Sequence, residues 1–287
     1  MSSTLLFDLL CLNVIILFIS RKVILQIDIT LIMIKNKIDS IIWFLKNPQY
    51  IPQIFQILKS KKNDHLEDTR LESTNWCKKN CTGQEEALIR LFRKKIFNPL
   101  DKLYSKEIKK AQNKVADCPV NMGGEGAISL LYHIVKESKA RSILETGVAY
   151  GWSSLAILLA IKDFDNALLI SNDMPYIKMN NEDYVGCVVP ENLKSKWQLQ
   201  RLPDIKGIPL ALKKFYNSID LCHYDSDKSY TGRMWSSPIL WKALKVGGLF
   251  ISDDINDNLA FKHFCKSVER KPIIIEHLGK YVGIIQK

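Results

Sequence analysis

An α/β fold with a mostly parallel sheet is predicted for the back of this 287-residue chain, from about residue 116 to the end. Short β-branched runs there alternate with amphipathic helices and glycine turns. Strands joined through helices need parallel crossovers, so the sheet should be covered on both faces. The chain then changes texture and ends on two apolar runs, PIIIEHL and KYVGIIQ, with Gly279 between them, which reads as an antiparallel hairpin. In order, RSILET at 141–146 is a buried strand, GWSSLAILLAIK at 151–162 a helix and ALLISN at 167–172 a second strand. WQLQR at 197–201, IDLCHY at 219–224 and GGLFISD at 247–253 supply three more, with helices at 207–217 and 231–245. With the hairpin, that makes a seven-stranded sheet.

The front of the chain reads as helical. From Asp39 to Lys114 the apolar residues keep helical spacing: Ile41, Ile42, Phe44 and Leu45 before Pro48, then Ile51, Ile54, Phe55 and Leu58. A polar stretch at 59–80 breaks the pattern. Leu88, Leu91, Phe92, Ile96, Leu100, Leu103 and Ile108 then form one stripe, which Pro99 should kink or divide. Before all this, residues 5–19 are nearly all apolar but carry Asp8 and stop at Arg21-Lys22. That run is shorter than the roughly 20 residues a spanning helix needs. With residues 23–34 it suggests a weak interfacial membrane association, or an extension ahead of a soluble start at Met33. Three segments follow: an apolar extension 1–34, a helical accessory region 35–115, and an α/β domain 116–287.

Composition removes several classes. The chain is 47% hydrophobic, too apolar for disorder. Seven cysteines lack disulfide-scaffold or zinc spacing, which suits a reducing cytoplasm. The net charge of +11 divides as +8 over residues 1–140 and +3 over 141–287. No arginine-rich run with interleaved aromatics supports a nucleic-acid partner.

The first strand runs into Glu145-Thr-Gly147-Val-Ala-Tyr-Gly151-Trp-Ser153. Gly147 permits a tight turn where a ligand can approach the backbone, and Gly151 opens a helix whose N-terminal NH groups attract a carboxylate. Ser153 can add a hydroxyl, and Glu145 at the strand end can hold an ammonium. A ligand with both groups fits, and the methionine half of S-adenosylmethionine has both. Asp173, closing the second strand beside Asn172, could receive ribose hydroxyls. The dinucleotide fingerprint GxGxxG is absent, which argues against a nicotinamide oxidoreductase.

HYDSDKSY at 223–230 and VGGLFISDDI at 246–255 end two further strands, so Asp225, Asp253 and Asp254 should share one rim of the sheet. Three converging carboxylates repel unless a cation joins them, and oxygen ligands suit Mg2+. Such a metal would acidify a substrate hydroxyl, and Lys228 is then placed to take its proton as a desolvated amine. Alternatively, Asp253 and Asp254 cap a helix at 257–268 and Lys228 is a surface cation.

ILETGVAYGWSS, SNDMPY, VGCVVPENLKSKW, DSDKSY and GGLFISDDINDNLAF resemble, in order, the class I S-adenosylmethionine-dependent methyltransferases grouped with the macrolide-sugar O-methyltransferases and cephalosporin hydroxylase-like proteins. The resemblance spans residues 118–287 and implies a Rossmann-like fold. It implies cofactor contacts from Glu145, Gly147, Gly151, Ser153 and Asp173, a metal triad of Asp225, Asp253 and Asp254, and Lys228 at the position of the general base. Many close relatives have His at that last position, and catechol-type enzymes have Asn where this chain has Asp254. Front helices in such enzymes shape the acceptor site or an oligomer interface, which points to residues near Met122, Glu125 and Trp235. The implied activity is metal-assisted O-methylation of a sugar or other small hydroxylated acceptor. A non-catalytic, membrane-associated scaffold that retains the fold is the alternative.

Overall fold

The computed structural model describes residues 35, 38–51, 53–54, 67–175 and 181–287; the apolar stretch at 5–34 lies outside the described residues. The chain divides into two compact units, Met1–Ile51 and Pro52–Lys287. In the first, a helix over 38–46 ends where Asn47 turns its side-chain amide back to the Trp43 carbonyl at 2.9 Å. A single turn, Pro48–Tyr50, follows, and Tyr50 stacks on Trp43 with ring centroids 5.2 Å apart. Phe44 and Tyr50 are buried, whereas Ile41, Ile42 and Leu45 stay exposed. Among the described residues no helix is long and apolar enough to cross a membrane.

The second unit is built on an eight-stranded sheet. Its strands are β1 (Cys81–Thr82), β2 (Ser142–Thr146), β3 (Leu168–Asn172), β4 (Trp197–Gln200), β5 (Ile219–Tyr224), β6 (Leu244–Ser252), β7 (Ile273–His277) and β8 (Lys280–Gln286). They lie in the order β1-β7-β8-β6-β5-β2-β3-β4. All pairings are parallel except those of β8, which runs antiparallel to β6 and β7. The seven strands expected from sequence are present. The eighth, β1, is two residues long and pairs with β7 through Cys81 opposite Ile274. So short a strand carries no alternation to read, and the segment expected as a purely helical accessory layer therefore contributes a sheet edge.

The polar stretch expected to break the helical pattern contains a helix, α1 (Glu67–Asn80). Glu, Arg and Lys are good helix formers, and among the described residues Ser73 and Cys77, four residues apart, are buried while Trp76 packs partly buried on the core. The stripe at 88–108 is divided into α2 (Gln84–Phe92), α3 (Leu100–Leu103) and α4 (Ser105–Ala116). Arg93 closes α2 in the left-handed conformation, and Pro99 precedes α3. The remaining helices are α5 (Ile128–Ser138), α6 (Trp152–Ile161), α7 (Asp204–Lys214), α8 (Tyr230–Ala243) and α9 (Ala260–Ser267).

Strand parity sorts the core. Ile143, Leu169, Leu221, Leu249 and Ile251 join the cluster built on α5 and α6. Leu144, Ile170, Cys222, Tyr224 and Phe250 join the cluster of α7, α8 and α9 on the other face. Both faces are covered, which is why these strands read as continuous apolar runs rather than alternating ones. α6 is buried at nine of its ten residues, as a central layer helix must be. Full burial of each large aliphatic side chain contributes about 1.5–3 kcal/mol.

Candidate active site

The strand order reverses between β5 and β2, so their carboxyl ends splay apart and open the crevice where open α/β sheets bind ligands. Pairing sets the ends level. Glu145 is opposite His223, and His223 is opposite Ile251. One more rung extends past each end: Gly147 N donates to Asn172 O (2.8 Å), Asp225 N to Thr146 O (2.9 Å) and Asp253 N to Tyr224 O (3.0 Å).

Beyond these rungs the loops part around a cavity of about 630 Å³. Gly147, Tyr150 and Ser153 line one wall, and the glycine-rich loop from Met122 to Ala127 lines another. His223, Asp225, Lys228 and Asp253 come from the strand ends, and the tip of the β7–β8 hairpin overhangs them. Leu131, Ile134, Ile251 and Val282 give the interior an apolar side. Gly147 has φ 81°, and a Cβ there would lie 2.3 Å from the carbonyl oxygen of Asp225, so only glycine lets the two loops touch. The Tyr150 hydroxyl ties the glycine-rich loop down, donating to Val120 O at 2.7 Å and accepting from Met122 N at 3.2 Å.

The sequence-selected residues divide by location. Gly147, Ser153, Asp225, Lys228 and Asp253 line the cavity, as do Met122 and Glu125. Gly151 sits behind it, where a Cβ would meet the Gly186 Cα at 2.9 Å. Trp235 packs on the opposite core. Glu145, expected to hold an ammonium, is completely buried below the floor. Its Oε2 accepts from Ser154 (2.5 Å) and Ser171 (2.6 Å), because strand parity points it inward between α6 and β3. Asp173 is also buried; one oxygen accepts from Val148 N at 2.8 Å and the other bonds Arg201. Burial pushes the Asp173 carboxyl up despite Arg201 and Val148.

The three rim aspartates do not meet on one point. Lys228 lies between two of them, 3.1 Å from Asp225 Oδ1 and in contact with Asp254 Oδ2. Lys280, delivered by the antiparallel hairpin, takes Asp254 as well, 3.2 Å from Oδ1. Burial works against the charge on Lys228, but the two carboxylates outweigh it and raise its pKa above the ordinary lysine value. That direction favours the charged amine, whereas the sequence reading expects a desolvated base. Asp254 is lowered, burial being overcome by both lysines. Asp253 faces His223 and is pushed up to about 6, by burial first and then by the Asp225 charge. Among the described residues no three Asp, Glu, His or Cys side chains are arranged to hold a metal. The donor set does not fit the expected Mg2+ triad: both oxygens of Asp254 are taken by ammonium groups. Neither aspartate caps α9, whose N-terminus has no side-chain cap.

Two supporting groups carried no sequence signal. Arg233, buried on α8, donates to Ser252 Oγ (2.8 Å) and to the carbonyls of Asp253 (3.0 Å) and Asp254 (3.1 Å), holding the turn in which Asp254 has φ 49°. Asp204 opens α7, accepts from Asn172 (2.9 Å) and from Ser226, and is pushed up to about 6 by burial. His223 lies within HYDSDKSY, and its register with Glu145 is set by strand pairing that the motif does not carry.

Residues 144–255 match the family model described as a methyltransferase domain, an interval that contains Glu145, Gly147, Asp173, Asp225, Lys228, Asp253 and Asp254. No curated protein matches the chain. Among solved structures, it is similar to an O-methyltransferase from Bacillus cereus in complex with S-adenosylhomocysteine (13% identity, 71% of this chain and 96% of that one, TM-score 0.51). It is also similar to an O-methyltransferase from Streptomyces achromogenes involved in tomaymycin synthesis, in complex with S-adenosylmethionine (14% identity, 67% and 97%, TM-score 0.52). At such identities the likeness is one of fold, and the fold is the Rossmann-like methyltransferase fold, a mostly parallel sheet closed by a C-terminal antiparallel hairpin.

Proposed function

We propose that the protein is an S-adenosylmethionine-dependent O-methyltransferase acting on a hydroxyl of a small molecule, a sugar being one candidate class. The observation that carries this reading is the contact of the Gly147 loop with the Asp225 backbone at the strand switch point, inside the matched interval. That contact sets a cradle for the methionine half beside a charged rim suited to an acceptor. The two similar O-methyltransferases, in complex with S-adenosylhomocysteine and S-adenosylmethionine, support the choice of donor.

In this reading the Gly147 loop and Ser153 hold the donor, and the glycine-rich loop carrying Met122 and Glu125 closes over it. When bound, S-adenosylmethionine supplies an electrophilic methyl: its carbon–sulfur bond breaks as the carbon–oxygen bond forms, and the hydroxyl proton passes to solvent. Asp225 and protonated Lys228 orient the acceptor by hydrogen bonds, so that most of the acceleration comes from alignment. The apolar side of the cavity holds the rest of the acceptor and excludes water.

Calorimetry with S-adenosylmethionine and S-adenosylhomocysteine, followed by transfer of labelled methyl to a panel of sugars and phenols, tests the reading. Saturable binding with label appearing in an ether product is expected. Intact protein that binds neither compound overturns it.

A further inference from the structure

Glu145 has one oxygen that its serines leave alone. Oε1 is buried without a hydrogen-bond partner and faces Nδ1 of His223 at 3.6 Å, and that nitrogen is also buried without a hydrogen-bond partner. Across the ring, Nε2 lies 4.0 Å from Asp253 Oδ2, at the cavity. The line is built by the sheet: Glu145 and His223 are in register on β2 and β5, and Asp253 lies two residues past Ile251, the β6 partner of His223. Asp253 is also the rim aspartate with no lysine or arginine within ion-pair distance among the described residues.

A buried imidazole between two acids is an expensive way to fill a sheet, since an aliphatic side chain would serve the core with no desolvation cost. Both gaps exceed a hydrogen bond and leave the ring standing between the two carboxylates.

We propose that His223 is a positioning residue: a strut that rests on Glu145 and fixes the Asp253 carboxylate in the cavity, where it accepts the hydrogen bond of the acceptor hydroxyl. Glu145 then acts through His223 and does not touch the cofactor ammonium. The role in transfer rests on the O-methyltransferase reading; the strut itself does not.

The test uses the full-length protein saturated with S-adenosylhomocysteine and labelled with 15N-histidine. The His223 ring signals, identified as those lost in His223→Gln, are followed in two variants that keep the histidine. Glu145→Gln is expected to move the Nδ1 signal and Asp253→Asn the Nε2 signal. A response to Glu145→Gln alone makes His223 a core residue and overturns the proposal. With the acceptor found by the labelled-methyl panel, His223→Gln should lower kcat about 10- to 100-fold and leave KM for S-adenosylmethionine within about 2-fold. An unchanged kcat also overturns the proposal. If the panel yields no product, that result counts against the O-methyltransferase reading, while the NMR arm still decides the strut.

Discussion

Two groups of acids sit at the same edge of one sheet and have opposite surroundings. Glu145 and Asp173, at the ends of β2 and β3, are sealed: serines, a backbone NH and Arg201 meet their oxygens, and neither lines the cavity. Asp225 and Asp253, after β5 and β6, border the cavity, and Asp225 and Asp254 are met by lysine side chains. An acid at a strand's carboxyl end is thus open to a ligand only if strand parity and the following loop leave it so. The sealed group lies behind the cavity, and the open group borders it.

The sharpest way to break the sealed side is Gly147→Ala. It places a methyl 2.3 Å from the Asp225 carbonyl and forces an alanine to φ 81°, so the two loops must separate. Loss of S-adenosylmethionine binding by at least about 100-fold, in calorimetry on protein that still unfolds cooperatively, is the expected outcome. Glu145→Ala should follow: it strips the acceptor from Ser154 and Ser171 and the facing carboxylate from His223 in a completely buried place. The expected cost is about 3–5 kcal/mol in urea unfolding, and a smaller loss than 1 kcal/mol would place Glu145 outside the core network.

The pH dependence compares the two sides directly. Burial opposes charge on His223, but Glu145, Asp253 and Asp225 raise it to about 9. A cation whose folded pKa is raised contributes stability that is fully present below the unfolded value, about 6.5, and lost as pH climbs through about 9. His223→Gln should therefore flatten the fall in stability over that window, a difference on the order of 3 kcal/mol between its ends. An identical slope in both proteins would mean that the imidazole does not carry this charge.

Much of this was legible from residues alone. The apolar runs of β2 to β8 announce themselves because a doubly covered sheet needs them, and GGLFISDD marks both a strand and its acidic end. β1 was not legible, because two residues carry no period, and α1 hid because a helix whose inward residues are Ser73, Cys77 and a partly buried Trp76 looks polar. In the site, the adjacency of Asp225 and Lys228 could be read from their spacing. The contact of Lys280 with Asp254 could not, since it depends on how far the hairpin reaches back along β6. The inward turn of Glu145 depends likewise on which face α6 covers.

The smallest expected effect concerns the open side. If three aspartates held Mg2+, stripping divalent metal would abolish transfer. Here Lys228 and Lys280 already supply positive charge to Asp225 and Asp254, and a metal would have to displace both ammonium groups from Asp254 to gain it as a ligand. Lys228 is more than a third exposed, so its pairs are worth about 1 kcal/mol or less each in stability. Their weight is electrostatic and local. Turnover in excess chelator and in added Mg2+ should therefore agree within about 2-fold. Lys228→Met should then create a metal dependence that the native chain is expected not to show, by leaving Asp225 and Asp254 with less compensating charge; a native enzyme already silent in chelator would reverse the assignment of the lysines.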